Sequence, residues 1–294
     1  MLPLSQSHLT LLETCPRKYQ YIFFDALSTP ATYDPQITTQ WGSQFHLLMQ
    51  QRALNLPVEL LADANVEMAE SMAALATAAP DVFAHLPISP SAERSSVAGT
   101  EDADAARPVS QNQLSPDEFS QSEHQRTLAF GDYLLTVVYD LVVLSAEQGQ
   151  IFDWKTHLRP PREDWLREDW QTRLYLYVLC ETTDLLPEQL SMTYWFVRLG
   201  AMTDAQPSFY RFDYSIGQHR HTQQDLQRLT MQLAQMRDRA DFPKVSIDKG
   251  RCDRCLFNVR CDRLSPSDSL LSDPSRLLRE ARQITADTVE EIPL

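Results

Sequence analysis

Glycine is scarce in this chain, seven residues among 294, and none of the seven builds a phosphate-cradling loop. No Gly-Lys-Ser/Thr triplet occurs, which excludes a P-loop ATPase, and no G-x-G-x-x-G run offers a dinucleotide fingerprint. The G-x-S-x-G elbow and the H-E-x-x-H helix are absent too, so two common hydrolase classes are set aside. No apolar run approaches the ~20 residues of a membrane span. MLPLSQSHLT has no basic segment leading into an apolar one, and the expectation is a cytoplasmic protein without a membrane partner. A surplus of positive charge is missing as well. The formal net charge is -14, so the chain as a whole repels polyanions, and a nucleic-acid site has to be locally basic or metal-assisted.

What is present suffices for a real core, since 43% of the residues are apolar, in one large domain or two small ones. LSQSHLTLLETCPRKYQYIFFDAL predicts two helical pieces, with Ser7 as N-cap and Cys15-Pro16 at their join. An amphipathic helix from Trp41 to Leu54 carries Phe45, Leu48, Met49 and Leu54, with His46 beside that stripe, and an Ala-rich helix runs on to about Ala79. Residues 87–122 hold Ser, Pro, Ala, Asp and Glu with almost no large apolar residue, and read as a disordered surface insertion. Ordered structure is expected to resume near Arg126. RTLAFGDYLLTVVYDLVVLSAEQGQIFDWKT reads as an antiparallel meander turning at Gly131-Asp132 and between Ser145 and Gln150. REDWQTRLYLYVLCETT then predicts a helix burying Trp170, Leu174, Tyr177 and Val178. Two strands in SMTYWFVRL and SFYRFDYS and a polar helix from about Gln218 to Ala240 follow. That order implies an α/β or α+β layout, a central mixed β-sheet flanked by helices.

The meander carries the chemistry. A turn centred near 146–147 brings Asp140 opposite Asp153, and opposed residues share a face. Strand alternation puts Lys155 on that face and Trp154 on the other. Two carboxylates so close repel each other unless something positive lies between them. A divalent cation suits the role, because Mg²⁺ takes one or two protein carboxylates plus phosphate oxygens. Lys155 can then orient or deprotonate an attacking water, or donate to the phosphate. The same residues would also make a solvated edge with an Asp153–Lys155 surface pair. Against that stands TVVYDLVVL, apolar on both faces, where a lone carboxylate is costly.

These residues resemble the PD-(D/E)XK nucleases of the RecB type, including the C-terminal nuclease domain of AddB and the CRISPR-associated iron–sulfur exonucleases. Asp140 followed by Asp153-Trp154-Lys155-Thr156 resembles the family's aspartate and acid-x-lysine. WGSQFH resembles the upstream helix whose histidine is a metal ligand, which implies that role for His46. DWQTRLYLY resembles the next helix motif and implies that Gln171 and Tyr175 face the substrate. Glu123 resembles an acidic residue that often precedes the first core strand. Val137 and His157 stand where the family commonly has glycine. The resemblance implies a restriction-endonuclease-like core, with a metal site of His46, Asp140 and Asp153 using Mg²⁺ or Mn²⁺, and Lys155, Asp140 and Asp153 as the catalytic group.

Cys252, Cys255 and Cys261 form a C-x2-C-x5-C run, a metal or cluster signal, and five cysteines without a secretory signal argue against a disulfide framework. Cys15 and Cys180 are the candidates for a fourth ligand, and Cys180 falls in an apolar helix. In the iron–sulfur branch of the family one N-terminal and three C-terminal cysteines hold a [4Fe–4S] cluster, which implies Cys15 with Cys252, Cys255 and Cys261 and an iron–sulfur-stapled periphery. Four thiolates also suit zinc. Lys249, Arg251, Arg254 and Arg260 lie in this stretch and offer phosphate contacts. The expected organisation is a helical part over 1–86, the insertion over 87–122, a nuclease core over 123–240, a cysteine segment over 241–263 and a tail over 264–294. The expected activity is metal-dependent DNA cleavage, exonucleolytic on single strands or ends, in repair or recombination, with a separate helicase or translocase as partner. The competing expectations are an inactive DNA-binding or helicase-partner module and a zinc-bound scaffold.

Overall fold

The computed structural model of the chain describes residues 1–27, 36–58, 65–80, 82, 119–156, 160–198, 207–253 and 255–263. His157, Arg254, the tail from 264 and the expected insertion up to 118 lie outside the described residues. The chain divides into two compact units, Met1–Thr10 with Ala31–Gln235, and Leu11–Pro30 with Met236–Leu294.

The first unit is built on a mixed six-stranded sheet. β1 (Leu2–Leu4) precedes helix α1 (Gln6–Thr14), and α3 (Gln36–Ala53) and α4 (Val66–Ala78) come before the meander β2 (Phe119–Phe130), β3 (Tyr133–Leu144) and β4 (Gly149–Lys155). Helices α5 (Glu163–Glu168) and α6 (Trp170–Glu181) then cross over to β5 (Leu190–Phe196), which lies parallel to β4, and β6 (Ser208–Asp213) and α7 (Ile216–Asp238) follow. A parallel pair requires such a crossover, and the helices supply it.

Most of the expected elements are found, with local corrections. The first helix begins after Ser5, whose carbonyl accepts the Leu9 N–H at 3.1 Å, so Ser7 lies inside the first turn rather than capping it. Leu54 falls beyond α3 and is exposed. The helix predicted over 167–183 starts at Trp170, because Asp169 leaves helical geometry and its side chain accepts the Gln171 N–H at 2.8 Å, capping α6, while Arg167 and Glu168 end α5. The meander begins at Phe119, so residues 119–122, expected in the insertion, are strand. Their polarity misled because β2, among the described residues, is an edge strand paired only with β3, and FSQSEHQ has little to bury. β1 was not anticipated; three residues are too few to show a period.

Trp41, Phe45, Leu48 and Met49 of α3 pack with Phe152, Trp154 and Trp195 in one buried cluster. Trp154 therefore faces the α3 layer, while Asp153 and Lys155 bond to Gln171 of α6. The two helical layers cover opposite faces of the sheet, as strand alternation requires. Gly42 explains how closely α3 can lie to the end of β4. A Cβ added there would stand 2.8 Å from Thr156 Oγ1, and a mid-helix glycine is otherwise disfavoured.

The second unit holds α2 (Pro16–Phe23), entered through an extended Cys15 with Pro16 in the first helical turn. Tyr19, Phe24 and Phe242 pack as aromatic neighbours, Tyr21 stacks obliquely on Phe257, and the Arg17 N–H donates to Pro243 O at 3.1 Å.

Gly42→Ala is expected to cost about 1–3 kcal/mol by overpacking, read by urea unfolding. Adding Thr156→Ala, which removes the clashing hydroxyl, is expected to recover most of that loss. Additive losses would show that this contact does not set the helix position.

Candidate active site

β3 has two edges, and β2 pairs along the whole of one, from Phe119↔Leu144 to Phe130↔Tyr133. The other edge is shared. Residues 133–135 pair with β1 and residues 141–144 with β4, so among the described residues 136–140 face no strand there. Helix α6 fills the opening. The Tyr175 hydroxyl accepts from the Val138 backbone and from Gln6 Nε2 at 3.4 Å, while Tyr139 donates its hydroxyl to Tyr175 O at 3.1 Å.

Asp140 ends this opening. Its Oδ2 accepts the Trp154 N–H at 2.7 Å, standing in for a ladder carbonyl just where the pairing of β3 with β4 stops at Leu141↔Phe152. On the other edge the Asp140 carbonyl accepts the Ser122 hydroxyl at 2.8 Å. Tyr139 reaches the α6 layer whereas Leu141 and Val143 join the α3 cluster. Residues two apart on a regular strand share a face, so β3 reverses its facing at Asp140. Opposite it on β2 is Glu123, with a left-handed φ of 50°. The register on either side, Ser122↔Leu141 and His124↔Tyr139, is unchanged. Matched irregularities in two strands have therefore re-aimed the side chains without slipping the pairing, a device common beside active sites.

Side chains from both layers meet there. From α3, His46 Nδ1 lies 3.4 Å from Asp140 Oδ1 and 3.9 Å from Glu123 Oε1. One step along the register from Leu141↔Phe152, Asp153 stands opposite Asp140, as the turn between β3 and β4 predicts. Asp153 Oδ2 is 2.8 Å from Lys155 Nζ, while Nζ donates to Gln171 Oε1, also at 2.8 Å, and Gln171 Nε2 donates to Asp153 Oδ1. The lysine also sits over the Tyr194 ring, 5.0 Å from its centroid.

The electrostatics follow from burial and crowding. Asp153, 3% exposed, is pushed up to about 6 by burial and then by the Asp140 charge, with Lys155 pulling the other way. Burial opposes the charged form of His46, but the hydrogen bond and charge of Asp140, then Asp153 and Glu123, outweigh it and raise its pKa. Glu123 is raised by burial and by Asp140.

Among the described residues, His46, Glu123 and Asp140 form the group whose ligand atoms all lie within 4.8 Å of one another. Of the expected site residues, His46, Asp140, Asp153, Lys155 and Gln171 gather at one place. Tyr175 is 4% exposed and braces the strand edge instead of presenting its ring to a groove. Glu123 had a sequence signal only by resemblance, since nothing in FSQSEHQ marks a backbone reversal.

The model of the PD-(D/E)XK nuclease superfamily matches residues 3–262. The chain belongs to that superfamily. Two solved structures are similar at 10% identity. One, described as a "Putative exonuclease" from Eubacterium rectale, has a TM-score of 0.46 with 92% of each chain covered. The other, SSO0001, has a TM-score of 0.36 over 90% of this chain and 89% of that one. No curated protein matches. PD-(D/E)XK nucleases are metal-dependent phosphodiester hydrolases, and this member's residues fit a hard divalent cation. An imidazole and two carboxylates converge, and their mutual repulsion in the metal-free chain is what an ion would relieve. The described residues contain no helix long and apolar enough to cross a membrane.

The raised pKa of Asp153 makes the stability of this PD-(D/E)XK nuclease pH-dependent. The folded chain holds the Asp153 proton more tightly than the unfolded one, so this stabilisation is complete below about pH 4. It is lost as pH rises through about 6. In EDTA, Asp153→Asn is expected to gain on wild type by up to about 3 kcal/mol from pH 4 to pH 7, measured by urea unfolding. Parallel pH profiles would contradict the buried-carboxylate account.

Proposed function

We propose that this chain is a RecB-type deoxyribonuclease using Mg²⁺ or Mn²⁺, acting as an exonuclease on single strands or strand ends in DNA repair or recombination. The observation that carries this reading is the meeting of His46, Asp140, Asp153 and Lys155 at the opening in β3, with Lys155 Nζ 2.8 Å from Asp153 Oδ2.

His46, Asp140 and Asp153 are the residues that would hold the cation. A bound divalent ion polarises a phosphoryl oxygen and lowers the pKa of a coordinated water. The rest of the work falls to the chain. Gln171 bridges Lys155 and Asp153 and so fixes the direction of the ammonium. Lys155 Nζ is then placed to orient the attacking water or to donate to the phosphate. Tyr194 beneath the ammonium and Tyr175 behind Gln171 limit its movement. These 294 residues contain no P-loop, and on this reading a helicase or translocase partner supplies unwinding or translocation along DNA. The net charge of -14 restricts DNA to the metal-loaded groove and locally basic surface.

In the second unit, Cys15, Cys252, Cys255 and Cys261 line one cavity of about 220 Å³, together with Lys18, Lys244, Arg251 and Arg263. Cationic walls suit a group that carries the charge of four thiolates. Four thiolates serve zinc and iron–sulfur groups alike, and the resemblance to the iron–sulfur branch of the family favours the [4Fe–4S] cluster. Cys180 lies elsewhere, in α6. Burial and then Glu181 and Glu188 push its thiol up to about 11, as for an inert structural cysteine.

With 5′- and 3′-labelled oligonucleotides and Mg²⁺ or Mn²⁺, the holo-protein is expected to cleave. Asp153→Ala and Lys155→Ala are each expected to lower the rate by at least about 10²-fold without unfolding the chain. Wild-type protein that binds DNA and leaves it intact would overturn the enzyme reading in favour of a binding module.

For the cysteines, anaerobically purified protein is expected to be coloured, with iron and acid-labile sulfide in equal amounts. Cys255→Ala is expected to lose the colour together with stability. Colourless protein containing zinc would overturn the cluster assignment.

A further inference from the structure

Glu123 is placed at a disadvantage twice over. Its φ of 50° is a conformation that a residue with a Cβ adopts rarely and only where surrounding structure enforces it. Its carboxylate, part-buried, lies 3.9 Å from His46 Nδ1 in one cluster with the Asp140 carboxylate, and like charges so close repel each other. Chain economy would place glycine or asparagine there, and solvent-facing neighbours such as Gln121 show that β2 accepts neutral side chains. What the arrangement achieves is proximity. His46 Nδ1, a Glu123 oxygen and an Asp140 oxygen fall within 4.8 Å of one another.

The left-handed backbone is also what brings this about. Glu123 continues the β2–β3 register opposite Asp140, and Asp140 continues the β3–β4 register opposite Asp153. Three carboxylates thus lie in one row across three strands. They are not equivalent, because both oxygens of Asp153 are engaged, Oδ1 by Gln171 and Oδ2 by Lys155. Asp140 spends Oδ2 on the Trp154 N–H and keeps Oδ1 toward His46. Glu123 has its Oε1 toward the same imidazole.

We propose that Glu123 is a further ligand to the divalent cation of this site, held in reach of it by the left-handed backbone, on the same side as His46 and Asp140. The inference rests on the reading of this cluster as the nuclease centre. It assigns the two ends of the row different duties: Glu123, Asp140 and His46 set the affinity for the ion, while Asp153 is shared with Lys155 and Gln171 and links the ion to the ammonium.

The test measures Mn²⁺ binding to DNA-free protein by calorimetry and the melting temperature in EDTA, for wild type, Glu123→Gln, Glu123→Gly and, as a control on an exposed turn, Glu147→Gln. Glu123→Gln keeps size and removes charge, and is expected to weaken Mn²⁺ at least about tenfold. Glu123→Gly is expected to weaken it similarly while raising the metal-free melting temperature by about 2 °C, because glycine tolerates the positive φ and the like-charge repulsion is gone. Glu147→Gln is expected to match wild type in both. Opposite signs for metal affinity and metal-free stability are what a structural role for Glu123 would not produce. Wild-type affinity in both Glu123 variants would overturn the inference and leave the nuclease reading standing. Failure of wild type to bind Mn²⁺ at all would overturn both.

Discussion

The site depends on an interrupted β-ladder. Where Glu123 and Asp140 oppose each other, regular exchange of backbone hydrogen bonds gives way to side-chain substitutes, the Ser122 hydroxyl on the Asp140 carbonyl and the Asp140 carboxylate on the Trp154 N–H. Buried backbone groups must be paired, so the interruption is tolerable only because these side chains complete it. Its consequence is that β3 changes face, and an acidic side chain is reached from both helical layers at once. A regular strand would have committed Asp140 to one layer, and His46 of α3 and Gln171 of α6 would have stood on opposite sides of a closed sheet.

The opening needs a brace, and Tyr175 supplies it. A phenol accepting from the Val138 amide occupies a position that a strand carbonyl would fill, and Tyr139 returns a bond to the backbone of the same helix turn. The Asp169 cap fixes where α6 starts, which in turn sets Gln171 against Lys155 and Asp153. Gly42 does the same for α3, letting it lie close enough to Thr156 for His46 to reach Asp140. Each position carries its residue because of where a helix has to lie.

Charge is the second constraint. In the metal-free chain the cluster keeps one carboxylate, Asp153, buried against its neighbour and shifted up to about 6, with Lys155 and then His46 as compensation. Removing water from like charges is among the more expensive things a fold can do, and the chain does so beside strand backbone that is itself irregular. Such a concentration of unfavourable terms at one place is the mark of a functional site, where an ion or substrate supplies the missing opposite charge.

Much of this was legible in the order of residues. The meander, its turns and the pairing of Asp140 with Asp153 follow from two-residue alternation and short connections, which are local properties, and LLTVVYDLVVL and GQIFDWKT state them directly. The Cys-Pro join and the spacing of Cys252, Cys255 and Cys261 are equally local. The start of β2 at Phe119 was not legible, because an edge strand with one exposed side lacks the apolar pattern that marks a buried one. Nor was the role of Tyr175, whose helical spacing from Gln171 suggests a shared substrate face but does not say that β3 leaves an edge for it to close. By itself the sequence determined which groups are available and which of them neighbour each other along a strand or across a tight turn, since those distances are set by covalent geometry. Only the tertiary structure decided that β3 turns over at Asp140, that Glu123 stands beside His46, and that two layers meet through the sheet, because these depend on hydrogen bonds between segments far apart in the chain that no local pattern encodes.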